Sequence, residues 1–342
     1  EHRLKLDKYQ FNSLCSALEN NKVLVKGRAG TGKTLLAREL AKKEAESGNQ
    51  VLLLTFTEAL GIEISKQFKN PNITSFSIGK FALDLLRQNG LKEKEIYEQN
   101  FWNKVTKKAS IKRIRKKIWD TVIIDEAQDM GKDEWRIIFN CAKKNNRIWA
   151  FFDPNQAFLK NSEMSKKFLN GCVRHNLTQP YRCPPGIQEL SDAYLGKKPD
   201  LDLITKEISD NTIKLIKSED AKIHKNVGNE INLLLKEGFE KSEIAVLSLQ
   251  GRNFKENIMH TNSLGGNEIV EATDKNIKDC NICDTFFRYK GLERPAIIVT
   301  DLRFVSDNYN TRMNIAISRA MGVLRIIGAK DEIEKDVVLS KL

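Results

Sequence analysis

Gly27 to Thr34 reads GRAGTGKT, set between the apolar run Val23-Leu24-Val25 and a stretch, Leu35 to Glu46, rich in Ala, Leu, Glu and Lys. The spacing fits G-x-x-x-x-G-K-[ST], a loop whose glycines turn tightly enough to aim backbone N–H groups at phosphate oxygens. The helix that follows adds the positive end of its dipole. In this reading Gly27, Ala29, Gly30, Thr31 and Gly32 form the cradle, Lys33 reaches the β and γ phosphates, and Thr34 offers its hydroxyl to Mg²⁺. A glycine-rich turn without a ligand is the competing reading. Strand, loop, Lys-Thr and helix in that order argue against it.

Reading outward, Val51 to Phe56 is a continuous apolar run, as expected of a strand buried on both faces of a parallel sheet. Phe56 closes it, where it either stacks on a base or fills core. Thr121 to Met130 reads TVIIDEAQDM. Its apolar half predicts a strand, and Asp125 and Glu126 fall at the strand end, where one acid holds Mg²⁺ through water and the other polarises the attacking water. Arg147 to Phe152 predicts a further strand, and Gln156 follows it, where a neutral amide can sense a γ phosphate. A helix is expected over 133–144. From about residue 211 the α/β alternation restarts, without a second phosphate loop and with a polar, irregular stretch at 251–281.

The chain has 342 residues, 40% hydrophobic and 30% charged, enough for two ordinary domains. No run approaches the roughly 18 apolar residues of a membrane span, and Glu1 to Gln10 carries no signal-peptide apolar region. A cytoplasmic location without membrane association is the expectation. The formal charge of +12 favours a polyanionic partner. Eight basic and no acidic residues lie between Phe101 and Trp119, a run that either tracks a phosphate backbone or forms a solvated helical face. Six dispersed cysteines suit a reducing compartment; Cys280 and Cys283 form a CxxC that lacks the second pair a zinc ribbon needs.

Taken in order, GRAGTGKT, TFT at 55–57, DEAQD at 125–129, DPNQ at 153–156, PYR at 180–182, KGLE at 290–293 and AISRA at 316–320 resemble the motifs of superfamily 1 nucleic-acid helicases of the UvrD/Rep-like group. The resemblance implies an α/β protein of two tandem RecA-like P-loop domains, 1–178 with a basic insertion near 91–119 and 179–342, with ATP in the cleft between them. By the same resemblance Gln10 reads the adenine, Tyr181 stacks on it and Glu293 contacts the ribose. Lys33, Gln156, Arg182 and Arg319 meet the γ phosphate, Thr34 and Asp125 hold Mg²⁺, and Phe56, Ser75, Phe158, Thr285 and Lys290 face a single strand.

Four positions depart from the group's pattern. Phe152 replaces Gly before the Asp of DPNQ, Pro180 replaces Asn before Tyr-Arg, and Ser77 and Phe287 stand at expected His positions. The resemblance implies an ATP-dependent translocase or helicase on single-stranded DNA, moving 3′ to 5′. The lack of bulky insertions keeps a second function open, a nucleic-acid-stimulated ATPase switch acting on a fused or bound nuclease or other effector. RNA is an open substrate, since no residue here reads a 2′-hydroxyl. A chain that opens on Glu1 is compatible with a preceding partner domain, and the oligomeric state stays open.

Overall fold

The computed structural model describes residues 8–88, 105–109, 118–159 and 163–342. The chain divides between Tyr181 and Arg182 into two compact units. Tyr181, expected at the start of the second unit, belongs with the first, and its N–H donates to Gly30 O at 3.0 Å.

The first unit holds six strands, β1 (Lys22–Gly27), β2 (Val51–Thr55), β3 (Ile73–Ser77), β4 (Trp119–Ile124), β5 (Ala142–Phe152) and β6 (Val173–Leu177). Their spatial order is β3-β2-β4-β5-β1-β6 and every pairing is parallel. Because successive residues of a strand point to opposite faces, Leu52 and Leu54, Val122 and Ile124, and Ile148 and Ala150 line one face. There they pack with Ile78, Phe81, Trp135, Ile138 and Phe168 in one buried cluster. The helix after the phosphate loop, Lys33–Glu46, lies along the sheet and touches β1 to β5. Parallel pairing places every strand's C-terminal end at the same edge, so the stretches following β1, β2, β4 and β5 share it.

One local expectation of the first unit needed correction. The helix expected over 133–144 runs Lys132–Cys141, and the chain is extended from Ala142 onward. Ala142 pairs with Trp119 and Lys143 Nζ reaches Asp120 Oδ1 at 2.7 Å, so partners on β4 override a helical pattern. Ser77, at an expected His position, is a buried helix cap whose Oγ accepts from Lys80 N at 3.3 Å.

The second unit contains β7 (Ile213–Ser218), β8 (Ile244–Ser248), β9 (Ser263–Leu264), β10 (Asn267–Val270), β11 (Asn281–Thr285), β12 (Arg294–Thr300) and β13 (Ala320–Ala329). The order is β7-β13-β12-β8-β11-β10-β9, parallel except for the β9–β10 pair. That pair corrects the irregular reading of 251–281. Gly265 and Gly266 both have positive φ, the conformation a two-residue hairpin turn requires. A Cβ on Gly265 would meet Gly228 of the helix Ile223–Lys236, so bare backbone lies against bare backbone. Near the C-terminus, the Tyr194 and Tyr309 hydroxyls both donate to Asp336 Oδ2, at 2.7 and 2.8 Å.

Of the basic run, Lys107 and Lys108 are exposed. Lys104, Lys112, Arg113, Arg115, Lys116 and Lys117 lie outside the described residues. Among the described residues no helix is long and apolar enough to cross a membrane, and Cys280 and Cys283 are buried free thiols.

Candidate active site

The phosphate loop is held from three sides within the first unit. Gly30 and Gly32 have φ of 74° and 84°, backbone that glycine adopts without penalty. Gln10, in the helix Lys8–Glu19, donates through Nε2 to Thr31 O at 3.0 Å, and a Cβ on Gly32 would collide with that same amide. Thr31 closes the loop on itself through Oγ1 to Arg28 O at 2.8 Å. A Cβ on Gly27 would strike the Thr31 hydroxyl, so glycine is required at both ends of the cradle. Ala29 is half-buried between them.

Lys33 is buried, and its Nζ donates to Gly27 O at 3.0 Å and Arg28 O at 2.9 Å. Those carbonyls hold the ammonium inside the curve of the loop, at hand for a phosphate oxygen. A cavity of about 350 Å³ opens beside Gly27 and Arg28, with Lys26, Asn155 and Asn176 also in its wall.

Thr34 Oγ1 donates to Asp125 Oδ2 at 2.6 Å. Asp125 is fully buried, and burial first, then the charge of Glu126, push its carboxyl up to about 6; the Thr34 hydroxyl and the Lys33 charge oppose that shift. A hydroxyl and a carboxylate in contact offer the hard oxygen ligands that fit a divalent cation.

Glu126 adopts φ 56° and ψ 42°, a left-handed conformation uncommon for a residue with a side chain. Its carboxylate is held: Gln128 Nε2 donates to Glu126 Oε2. Gln128 Oε1 in turn accepts from Asp153 N at 2.9 Å. Asp153 O accepts from Gln156 N at 3.1 Å, and Gln156 is buried. The acid at the end of β4 is thereby tied to the loop after β5. The motif reading passed over Gln128, and its position two residues beyond Glu126 in DEAQD was the available signal.

In the second unit, Arg182 Nη1 donates to Glu293 Oε2 at 2.8 Å. Arg319 is buried, with Nε on Ile315 O at 3.0 Å and Nη2 on Ser318 Oγ at 2.9 Å. Burial pushes the Cys183 thiol up, with Glu207 and Glu293 adding to the shift and Arg319 opposing it. Glu293, the partner of Arg182, and Arg319 thus both act on this thiol.

The strand-facing expectations divide. Phe56 and Phe158 are half-buried at the shared strand edge, and Tyr181 is exposed. Ser75 Oγ is enclosed. Thr285 is buried at the end of β11, where its hydroxyl accepts from Arg288 N at 3.2 Å and closes the following turn. Lys290 is wholly buried. Neither of these two presents its side chain at the surface. Phe152, at an expected Gly position, packs against the core cluster of the first unit.

A family model described as an AAA domain matches residues 5–182. The chain belongs to the AAA domain family. With its phosphate loop intact, this AAA-domain protein is an ATP-hydrolysing enzyme built of two tandem RecA-like domains of the P-loop class. A crystal structure of Pif1 helicase from Candida albicans is similar to it, with a TM-score of 0.54 and 13% sequence identity, over 99% of this chain and 98% of that one. At that identity the likeness concerns the fold. No curated protein matches the sequence.

Proposed function

We propose that this AAA-domain protein is an ATP-driven translocase or helicase on single-stranded nucleic acid, of the UvrD/Rep-like kind, acting on DNA in the 3′ to 5′ direction. The observation that carries this reading is the hydrogen-bonded path from Glu126 through Gln128 to Asp153. It joins the hydrolytic carboxylate to the loop bearing Gln156 and, two residues on, the half-buried Phe158. A base stacked on Phe158 would thereby be felt at Glu126, and aromatic stacking tolerates any base. The Pif1 likeness supports a motor of this size.

In this proposal Gln10 and Tyr181 hold the adenine, Glu293 the ribose, and the loop Gly27 to Lys33 the phosphates. Thr34 and Asp125 would hold Mg²⁺, which supplies countercharge to the phosphates when bound. Glu126 takes the proton of the attacking water. Gln156, Arg182 and Arg319 act on the γ phosphate, where an arginine stabilises the transition-state charge. Phe56 and Phe158 contact the strand.

A second reading is favoured by the 249–280 connection. It folds into one short hairpin against its own sheet, which suits a nucleic-acid-stimulated ATPase switch that signals to a fused or bound effector. One experiment separates the two. ATP hydrolysis is measured with and without single-stranded DNA or RNA, followed by displacement from 3′- and 5′-tailed duplexes. Stimulated hydrolysis with displacement from the 3′ tail supports the motor, and stimulation without displacement supports the switch. Full hydrolysis in Lys33→Ala and Glu126→Gln would refute both.

A further inference from the structure

The helix Pro185–Ala193 begins in an unusual way. The first turn of a helix leaves backbone N–H groups without intrahelical acceptors, and a Ser, Thr, Asp or Asn at the N-cap normally accepts from them. Here the N-cap is Pro184, which has no acceptor side chain, and the next residue, Pro185, has no N–H. The donors that remain are those of Gly186 and Ile187. Both are taken by one carboxylate from another helix: Glu207 Oε1 accepts from Gly186 N at 2.8 Å and Oε2 from Ile187 N at 3.1 Å.

The approach is as close as backbone permits. A Cβ on Gly186 would meet Leu203 O at 2.7 Å and Glu207 Cδ at 2.9 Å, so glycine is what lets the helix Leu201–Ser209 reach this end. A carboxylate bridging two N–H groups at a helix N-terminus is favoured both by charge-assisted hydrogen bonds and by the dipole.

The chain leading into this clamp is Arg182-Cys183-Pro184-Pro185. Two prolines fix their own φ, and each restricts the residue before it. Arg182 therefore stands on a short stiff stalk whose base is held by Glu207, while its guanidinium pairs with Glu293. We propose that Glu207 is a positioning residue for Arg182, presenting its guanidinium to the γ phosphate. The inference rests on the γ-phosphate role given to Arg182 above.

The physical reason is the flexibility of arginine. A long side chain delivers charge to a transition state only if its backbone is placed, and a shift of about 1 Å can lower a rate about a hundredfold. The charge on Glu207 also lies within reach of the same small region, since it acts on the Cys183 thiol together with Glu293 and Arg319.

The test places Glu207→Ala and Glu207→Gln in the native chain and in an Arg182→Ala background. Strand-stimulated ATP hydrolysis, single-strand affinity and thermal unfolding are then measured. Glu207→Ala should lower kcat roughly 10- to 100-fold, with KM for ATP and Kd for the strand within about twofold. Glu207→Gln, which keeps one acceptor, should recover part of that loss. Neither change should lower the residual rate of Arg182→Ala any further.

An unchanged kcat in Glu207→Ala, or a loss that simply adds to that of Arg182→Ala, overturns the proposal. So does a fall in kcat that disappears once rates are divided by the folded fraction. If Arg182→Ala itself keeps the native kcat, the γ-phosphate role of Arg182 fails and this inference falls with it. That result is distinguishable, because a failure confined to Glu207 leaves Arg182→Ala slow.

Discussion

Replacing Gln128 by Leu removes a side chain that joins the carboxylate of Glu126 to the backbone of Asp153, at nearly constant volume. Gln128 is buried and makes both bonds at once, donating to Glu126 Oε2 and accepting from Asp153 N. A hydrogen bond to a charged group contributes about 1.5–3 kcal/mol, and a buried donor left unsatisfied costs about 1–3 kcal/mol. Glu126 already sits in a left-handed backbone conformation, so without the amide its carboxylate loses its orientation more readily than its place in the chain. If roughly 1.4–2.8 kcal/mol of that loss falls on the transition state, kcat drops about 10- to 100-fold. KM for ATP should hold within about twofold, because the bonds of the Gln128 amide go to Glu126 and Asp153. The assay is steady-state phosphate release at saturating single strand, with ATP-analogue binding measured in parallel. A kcat within about twofold of the native value in a folded Gln128→Leu protein, with Glu126→Gln still inactive, would refute the reasoning.

Other outcomes follow from the same geometry. Gly32→Ala places a Cβ at φ 84° and against the Gln10 amide; a left-handed residue costs roughly 1–2 kcal/mol before any collision. Affinity for a fluorescent ATP analogue should therefore fall at least tenfold or so, and unaltered affinity would mean that the loop does not need this conformation. Gly228→Ala drives a methyl into the backbone of Leu264 and Gly265, so stability should fall by about 1–3 kcal/mol. Amide exchange across 263–270 should accelerate, and a native exchange pattern there would count against the close packing.

Alkaline pH should loosen the second unit. Burial, with the Asp336 carboxylate adding to it, pushes Tyr194 and Tyr309 well above the ordinary 10.0. The fold keeps both phenols protonated where the unfolded chain ionises them, so their contribution is complete below pH 10 and declines above it. Urea unfolding between about pH 9 and 11 should give a falling midpoint, with a shallower slope in Tyr309→Phe; equal slopes would rule this out.

Contiguous motifs were legible because their chemistry is local. GRAGTGKT needs its own glycines, its own lysine and the helix it runs into, and DEAQD places its acids by ending a strand. Gln10, for which the resemblance to superfamily 1 helicases implies an adenine-reading role, donates to Thr31 O of the loop. The hairpin at 263–270 was within reach too, since Gly265-Gly266 is a turn signal, but the strands beside it are short and polar. The strand at Ala142 was out of reach, because its partners lie on β4 and the local pattern favours helix.

The sequence by itself determined that the chain carries a phosphate loop, the paired acids of DEAQD, and an α/β alternation that sets those acids at a strand end. Spacing along the chain dictates each of these. Only the tertiary structure decided which groups support them: Gln128 bridging to Asp153, Glu207 capping a helix that starts 22 residues earlier at Pro185, Lys290 drawn into the interior. Hydrogen-bond partners and burial depend on distances between segments remote in sequence, and packing sets those distances.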